Sequence, residues 1–292
     1  MTPNSMWRFQ HRAAPYLFVA PFLVLFATFM VYPMARSLML SFYRTAGPQH
    51  LVYVGWENYR YLLFHDVTFA LAVVNTAGFT VAFLLLQVPI SLGLAVLLNS
   101  RHVRWRSFFR FTFFSSYLVG QVFVAVVFFQ LFAADGLVNR ILGNDIPWLT
   151  NSSLAMPSVL IADLWLTAGY GMVYFLAALQ TVDQELYEAA HIDGAGAWQS
   201  FVHITLPGIR PVLIFVIVVG TIGGFQLFEL PYVLLQGPGP NYRGLTIVMY
   251  LFIAGFNNGD LGYASAIGWT LVLLLLVVTL FQLRLFRATR EV

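Results

Sequence analysis

Glu188-Ala189-Ala190-His191-Ile192-Asp193-Gly194-Ala195-Gly196-Ala197-Trp198-Gln199-Ser200-Phe201-Val202-His203-Ile204-Thr205-Leu206-Pro207 is the most polar segment between two long apolar runs. It reads as two short helices joined by a glycine break. Thr181 and Gln184 have the spacing of a capping box that opens the first helix. Gly194, with Ala195-Gly196 behind it, supplies the small residues that a helix C-terminus and a tight turn need. Trp198, Phe201 and Ile204 recur at helical spacing, which places three large apolar groups on one face. Pro207 ends this second helix, and Pro211 suits the first turn of the next. A helix–turn–helix with an apolar face, held between membrane spans, has the shape of a plug for a groove on a soluble partner. The alternative is an ordinary amphipathic loop.

Composition fixes the surroundings of that segment. Of the 292 residues, 60% are hydrophobic and 9% charged, whereas a soluble domain carries about a quarter charged residues. Too little charge is present to solvate a globular surface, so most of the exterior faces lipid and the chain is an integral membrane protein. There is no cysteine, which excludes disulfides, thiolate catalysis and Cys-ligated metals. All 15 basic residues are arginine. A phosphate-binding P-loop needs its lysine, so ATP hydrolysis has to reside on another polypeptide, and the chain does not read as an enzyme. The net charge of +3 sits in short juxtamembrane clusters, an orientation signal rather than a nucleic-acid footprint.

The fold expected is all-α with six transmembrane helices. A cytoplasmic tail, 1–14, precedes a transmembrane domain, 15–286, and a second cytoplasmic tail, 287–292, follows it. Apolar runs long enough to cross the hydrocarbon core lie at about 15–35, 70–98, 108–132, 157–180, 211–234 and 262–286, with the polar loop at 181–210 between the fourth and fifth. Trp56, Tyr59, Tyr61 and Phe64 predict an interfacial helix in the loop 41–66. The apolar run Leu245–Phe256 is too short to span and reads as interfacial or re-entrant. With both termini inside, the cytoplasmic segments hold arginines 8, 12, 101, 104, 106, 110, 210, 284, 287 and 290, and the outer ones only 36, 44, 60, 140 and 243. That bias favours N-in, C-in and puts the 188–207 loop in the cytoplasm.

Charge within a membrane is costly and marks function by default. Asp163, in span four, and Glu229, near the outer end of span five, both fall in the outer half. With Trp165, Tyr170, Gln226, Asn75 and Gln121 they would line a solute path, supplying acceptors for hydroxyls and aromatic faces for sugar rings. Equally open is that the two acids lie at headgroup level or pair with arginines of a partner. Gly169, Gly171, Gly220, Gly223 and Gly224 read as close-packing positions against a partner, with a hinge as the alternative. No histidine pair has metal-ligand spacing, His-Glu-x-x-His is absent, and Gly-x-Ser-x-Gly is missing. No metal site is expected.

The Glu188–Pro207 pattern resembles the cytoplasmic EAA loop of binding-protein-dependent ABC importers, with every fixed position filled: Glu188, Ala189, Ala190, Gly194, Ile204, Leu206 and Pro207. Local patterns at Gly55-Trp56-Glu57-Asn58-Tyr59, Asn75-Thr76, Leu94–Asn99, Gly136-Leu137-Val138-Asn139, Leu176–Gln180 and Gly237-Pro238 fall in matching order. From about Pro15 to Phe286 the chain is similar to the sugar-type permease subunit, the group serving maltose, trehalose and glycerol-phosphate uptake. The resemblance implies a heterodimer with a homologous permease subunit and a pair of ATPase subunits that bind ATP and Mg, with no cofactor on this chain. It also implies an extracytoplasmic solute-binding protein or lipoprotein, in a prokaryotic cytoplasmic membrane. Glu188, Ala189, Ala190, Asp193, Gly194, Ile204, Leu206 and Pro207 would then couple to the ATPase, and a carbohydrate or polyol would be the cargo. Two positions depart from the pattern: His191 stands where Lys or Arg is common, and Val182-Asp183 where an Ile-Pro pair is common. The competing classes are an ion-coupled secondary transporter using Asp163 and Glu229 and, last, an intramembrane protease using the same acids.

Overall fold

The computed structural model describes residues 3–45, 47, 50–100 and 103–288. Arg101 and Arg290, which entered the charge count above, lie outside the described residues. The chain is mostly helical and divides into two units, one comprising residues up to His65 with Leu251–Thr270, the other Asp66–Tyr250 with the residues from Leu271 onward.

In the first unit, α1 (Pro3–Phe26) passes through a π turn (Ala27–Val31) into α2 (Tyr32–Leu40). The apolar stretch Tyr16–Leu40 is long enough to cross a membrane and has none of its most apolar window buried within the chain. It continues past residue 35, where the sequence reading ended it: Pro33 sits in the first turn of α2, and nothing from Met34 to Leu40 breaks the helix. A two-stranded antiparallel hairpin follows, β1 (Tyr43–Thr45) and β2 (Leu51–Tyr53), with Tyr43 opposite Tyr53 and Arg44 opposite Val52. The hairpin departs from the all-α expectation. Side chains fasten it: Asn58 donates to the carbonyls of Ser41 (2.9 Å) and Tyr43 (2.8 Å), and the Asp260 carboxylate accepts from the Thr45 amide and hydroxyl, each at 3.1 Å. The helix expected in the loop 41–66 forms as α3 (Glu57–Phe64).

The second unit is built on α4 (Val67–Asn99), α5 (Arg106–Ser115), α6 (Gln121–Leu131), α7 (Leu137–Leu142) and α8 (Ala155–Leu179). The loop helices α9 (Gln184–Ile192), α10 (Ala197–Ser200) and α11 (Leu206–Gly208) follow, then α12 (Arg210–Phe225), α13 (Glu229–Leu234) and α14 (Ile247–Phe252). The last helix, α15 (Leu261–Ala288), begins in the first unit and ends in the second. Asp66 caps α4 by accepting from the Thr68 and Phe69 amides. The α4–α8 contact is the most extensive and forms the spine of the unit. One apolar cluster joins Phe79, Phe83, Phe128, Val159, Leu166 and Leu230; a second, nearer the loop, joins Leu92, Met172, Phe175, Leu179, Ile209 and Val216.

Among the described residues, four helices are long and apolar enough to cross a membrane: Tyr16–Leu40, Val67–Asn99, Ala155–Leu179 and Leu261–Arg287. Two bent pairs bring the number to six if each pair counts as one span. Two of the expected runs, 108–132 and 211–234, are interrupted. Span three breaks at Val119-Gly120, where Arg106–Leu118 and Gln121–Leu131 meet at 98°. Span five ends at Phe225, and the rest of the expected run turns at Gln226 and re-forms as α13. A break in the backbone ladder is tolerated at membrane depth only where protein or a cavity covers it, and the first break does line a cavity. The short 245–256 run is helical and its start is buried within the second unit: Leu245, Ile247 and Met249 have no exposed surface, and Thr76 Oγ1 accepts from the Ile247 amide.

Helices close up where side chains vanish. A Cβ on Gly169 would overlap the Phe113 carbonyl of α5, and one on Gly224 would come within 2.6 Å of Thr80 Oγ1 on α4. Both glycines therefore pack within this chain rather than against a partner. α8 runs unbroken through Gly169 and Gly171, whereas α12 ends at Phe225, directly after Gly223-Gly224.

Candidate functional site

Between α8 and α12 the chain makes an elbow whose geometry is set almost wholly by local contacts. Asp183, in extended conformation, caps α9, its carboxylate accepting from the Glu185 amide at 3.0 Å. Thr181 instead donates its hydroxyl back to the Ala178 carbonyl at 2.8 Å. The expected Thr181–Gln184 capping box is thus replaced by an Asp183 cap, since a carboxylate one residue before the helix is the better-placed acceptor. At the other end Gly194 has φ +79°, its amide donates to the His191 carbonyl, and the Ala195 amide reaches back to the Ala190 carbonyl at 2.8 Å. These two bonds form the Schellman closure that a glycine in this conformation permits.

The second half of the elbow starts at Gly196, whose amide is accepted by Gln199 Oε1 at 2.8 Å. From α10 the helix runs through a π turn, Phe201–Thr205, into α11. The extra residue in the π turn breaks the expected single apolar face. Trp198 is 75% exposed, while Phe201, stacked on it at 5.7 Å, packs onto the lower core. The helix ends at Gly208, one residue after Pro207. The corner comes at the buried Ile209, where Ala197–Gly208 meets Arg210–Phe225 at 69°, and Pro211 sits in the first turn of α12.

One bond holds the elbow's two arms together: the Tyr187 and Thr205 hydroxyls lie 2.8 Å apart. Between the arms and the ends of α4 and α8 is a groove of about 470 Å³ lined by residues including Asn99, Tyr187, His191, Ser200 and Phe201. Glu188, Ala189, Asp193, Gly194 and Pro207 are exposed, while Ala190, Ile204 and Leu206 are partly buried. Leu186, Ile192 and Trp198 add exposed apolar surface. Arg210 donates to the Phe286 carbonyl at 3.0 Å, tying the elbow's exit to the end of α15.

A cavity of about 180 Å³ lies higher in the same unit. α8 contributes Asp163, Thr167, Tyr170 and Tyr174, a 4-3-4 spacing that keeps all four on one helical face. α4 supplies Phe83 and Gln87, α12 supplies Phe215 and Gly220, and the broken span three supplies Tyr117 and Gln121, one on each side of the break. Tyr117 stacks on Tyr170 at 4.3 Å, Tyr170 meets Tyr174 edge-on at 4.8 Å with their hydroxyls 3.0 Å apart, and Tyr174 meets Phe215 at 5.3 Å. Asp163 is 6% exposed, and among the described residues no side chain pairs with its carboxylate. Gln87 is 4% exposed; its Nε2 donates to Ser91 Oγ at 3.2 Å and its Oε1 has no partner.

Residues 87–291 match the model of the binding-protein-dependent transport system inner membrane component family. The chain belongs to this family. This family member is therefore a multi-pass inner membrane protein. It is 37% identical to the arabinooligosaccharides transport system permease protein AraP of Bacillus subtilis (strain 168), over 97% of this chain and 92% of the relative. It is 36% identical to the lactose transport system permease protein LacF of Rhizobium radiobacter, over 94% of each. A solved bacterial alginate ABC transporter, in complex with an alginate pentasaccharide-bound periplasmic protein, contains a chain that superposes with a TM-score of 0.82 at 25% identity, covering 94% of this chain and 95% of that one. These relatives are ABC permease chains, and the ion-coupled reading is not favoured.

Within this permease the sequence-derived path residues divide. Asp163, Tyr170 and Gln121 line the cavity. Trp165 is 52% exposed on another face of α8, against Phe128, and Glu229 and Gln226 are exposed at and beside the turn between α12 and α13, away from the cavity lining. Asn75 is a fastener, donating to the Tyr242 and Leu245 carbonyls at 2.8 and 3.1 Å. Gln87, Thr167, Tyr174 and Tyr117 were missed. The spacing from Asp163 through Thr167 and Tyr170 to Tyr174 was the signal for two of them; Tyr117 becomes a lining residue only because span three breaks.

Proposed function

We propose that this permease forms, with a second homologous subunit, the path of a carbohydrate or polyol through the cytoplasmic membrane, and that the elbow at 183–209 couples the path to a separate ATPase. The observation that carries the reading is continuity: α8 and α12 are the two helices that the elbow joins, and both line the aromatic cavity. A rigid helix pair seated on an ATPase would turn these two helices as a body, with exposed Glu188, Ala189, Asp193 and Pro207 beside Trp198 and Ile192 as the seat. Ile204 and Leu206 would set the second arm against the bundle. ATP and Mg would bind on the ATPase pair, and an extracytoplasmic binding protein or lipoprotein would deliver the solute. Asp163, Gln87, Gln121, Thr167 and the tyrosines would meet it.

The names of the relatives support a saccharide, running from arabinooligosaccharides and lactose to the acidic polysaccharide alginate. They leave its charge open. Six spans with both termini inside is the topology proposed. Because the chain has no cysteine, single cysteines placed at Gln199 and Asn144 would report sidedness with an impermeant maleimide: Asn144 labels from outside and Gln199 only after lysis. Co-purification with an ATPase and vanadate-sensitive uptake in proteoliposomes test the coupling. Uptake that survives vanadate but collapses with an uncoupler would reject it.

A further inference from the structure

We infer that Asp163 and Gln87 make the cavity selective for uncharged, hydroxyl-rich sugar units and close it to uronic acids and other anionic sugars. The inference rests on the saccharide-path reading above and narrows it. The lining holds two buried acceptors that have no donor. Among the described residues, Asp163 presents a carboxylate without a side-chain partner and Gln87 an amide oxygen without one, each in a residue more than nine-tenths buried. Both need donors, and a sugar hydroxyl is a donor. Thr167 already spends its hydroxyl proton on the Asp163 main-chain carbonyl at 2.7 Å, so it too meets a ligand as an acceptor. The faces of Tyr117 and Tyr170, stacked in line, suit the C–H face of a pyranose.

An anionic sugar meets the opposite situation. No arginine or histidine is among the lining residues, and the chain has no lysine. A ligand carboxylate would therefore be buried beside the Asp163 carboxylate with no cation from this chain to neutralise the pair. Two carboxylates in one site cannot both remain ionised without a large penalty, so a proton must be taken up or the ligand stays out. The volume, about 180 Å³, is below the roughly 300–1,000 Å³ of drug-sized pockets. The filter would thus be applied unit by unit as a chain of sugars passes.

The test uses the whole importer, permease pair and ATPase pair, in nanodiscs and without the external binding protein, whose own selectivity would mask the filter. The probes are methyl β-galactoside and methyl β-galacturonide, which differ only in a hydroxymethyl against a carboxylate. Saturation-transfer NMR titrations give the ratio of their affinities. For the wild type the neutral probe binds at least about tenfold more tightly, a difference of about 1.4 kcal/mol. Asp163→Asn moves that ratio toward one, chiefly through a rise in uronide affinity, and Gln87→Glu moves it further from one. Equal affinities in the wild type, or a ratio that Asp163→Asn leaves in place, would overturn the filter while sparing the sugar path. Loss of both probes in an Asp163→Asn complex with a wild-type thermal midpoint would also overturn it, because the carboxylate would then be a required contact. Should Asp163→Asn not assemble, Gln87→Glu decides: an unmoved ratio rejects the inference. If neither probe binds the wild type, the saccharide path itself falls, and the filter with it.

Discussion

The elbow and the cavity are two solutions to placing side chains, and they differ in how far along the chain their contacts reach. The elbow is assembled from neighbours. Its cap, its Schellman closure and the Gly196–Gln199 bond each join residues five or fewer positions apart, and the Tyr187–Thr205 bond crosses it. The cavity takes its lining from α4, the broken third span, α8 and α12. Local geometry makes the first robust to the rest of the fold, whereas the second exists only if four helices pack at the right depth.

The largest effect is expected where the elbow depends on one backbone conformation. Gly194→Arg puts a side chain at φ +79°, a strain of about 1–2 kcal/mol, and adds a bulky cation to the exposed seat. Uptake in proteoliposomes should fall to background while immunoblots show normal amounts in the membrane; normal uptake would break the comparison at its root. Gly169→Val attacks the other region. Overlap with the Phe113 carbonyl should cost about 1–3 kcal/mol, read as a lowered thermal midpoint in detergent and lost probe binding, because α5 must move away from α8. Asn75→Ala should cost on the order of 1–2 kcal/mol by stripping the Tyr242 and Leu245 carbonyls of their donor. Probe affinity measured on the folded fraction should hold, since Asn75 is no lining residue. The smallest pair sharpens the account of the elbow: Asp183→Ala should lower stability by about 1 kcal/mol, and Thr181→Ala by roughly half that or less. The reverse order would restore the Thr181 cap.

The same difference in range explains what could be read in advance. Gly194, the short helices beside it and the apolar runs are local features, and their reading survives at the level of element type. The Thr181 cap failed because two acceptors competed within three residues and spacing alone does not rank them. Pro207 marked the helix end to within one residue: a π turn precedes it, the helix stops at Gly208, and Ile209, buried in the lower core, sets the corner. Asp163, Tyr170 and Gln121 were found as polar or aromatic groups inside apolar runs. Asn75 shared that signature and serves structure, and nothing local separates the two cases. Tyr117 was invisible: the 98° break at Val119-Gly120 carries no proline, and only packing against α8 fixes it.

One face of α8 has a consequence for speed. Along it Asp163, Thr167, Tyr170 and Tyr174 follow one another at intervals of roughly 4.5–6 Å, shorter than the long axis of a disaccharide. A sugar descending this staircase would grip the next rung before it lets go of the last. Such a stair has many shallow treads and no deep landing, the profile a conduit needs if its traffic is to leave as readily as it enters.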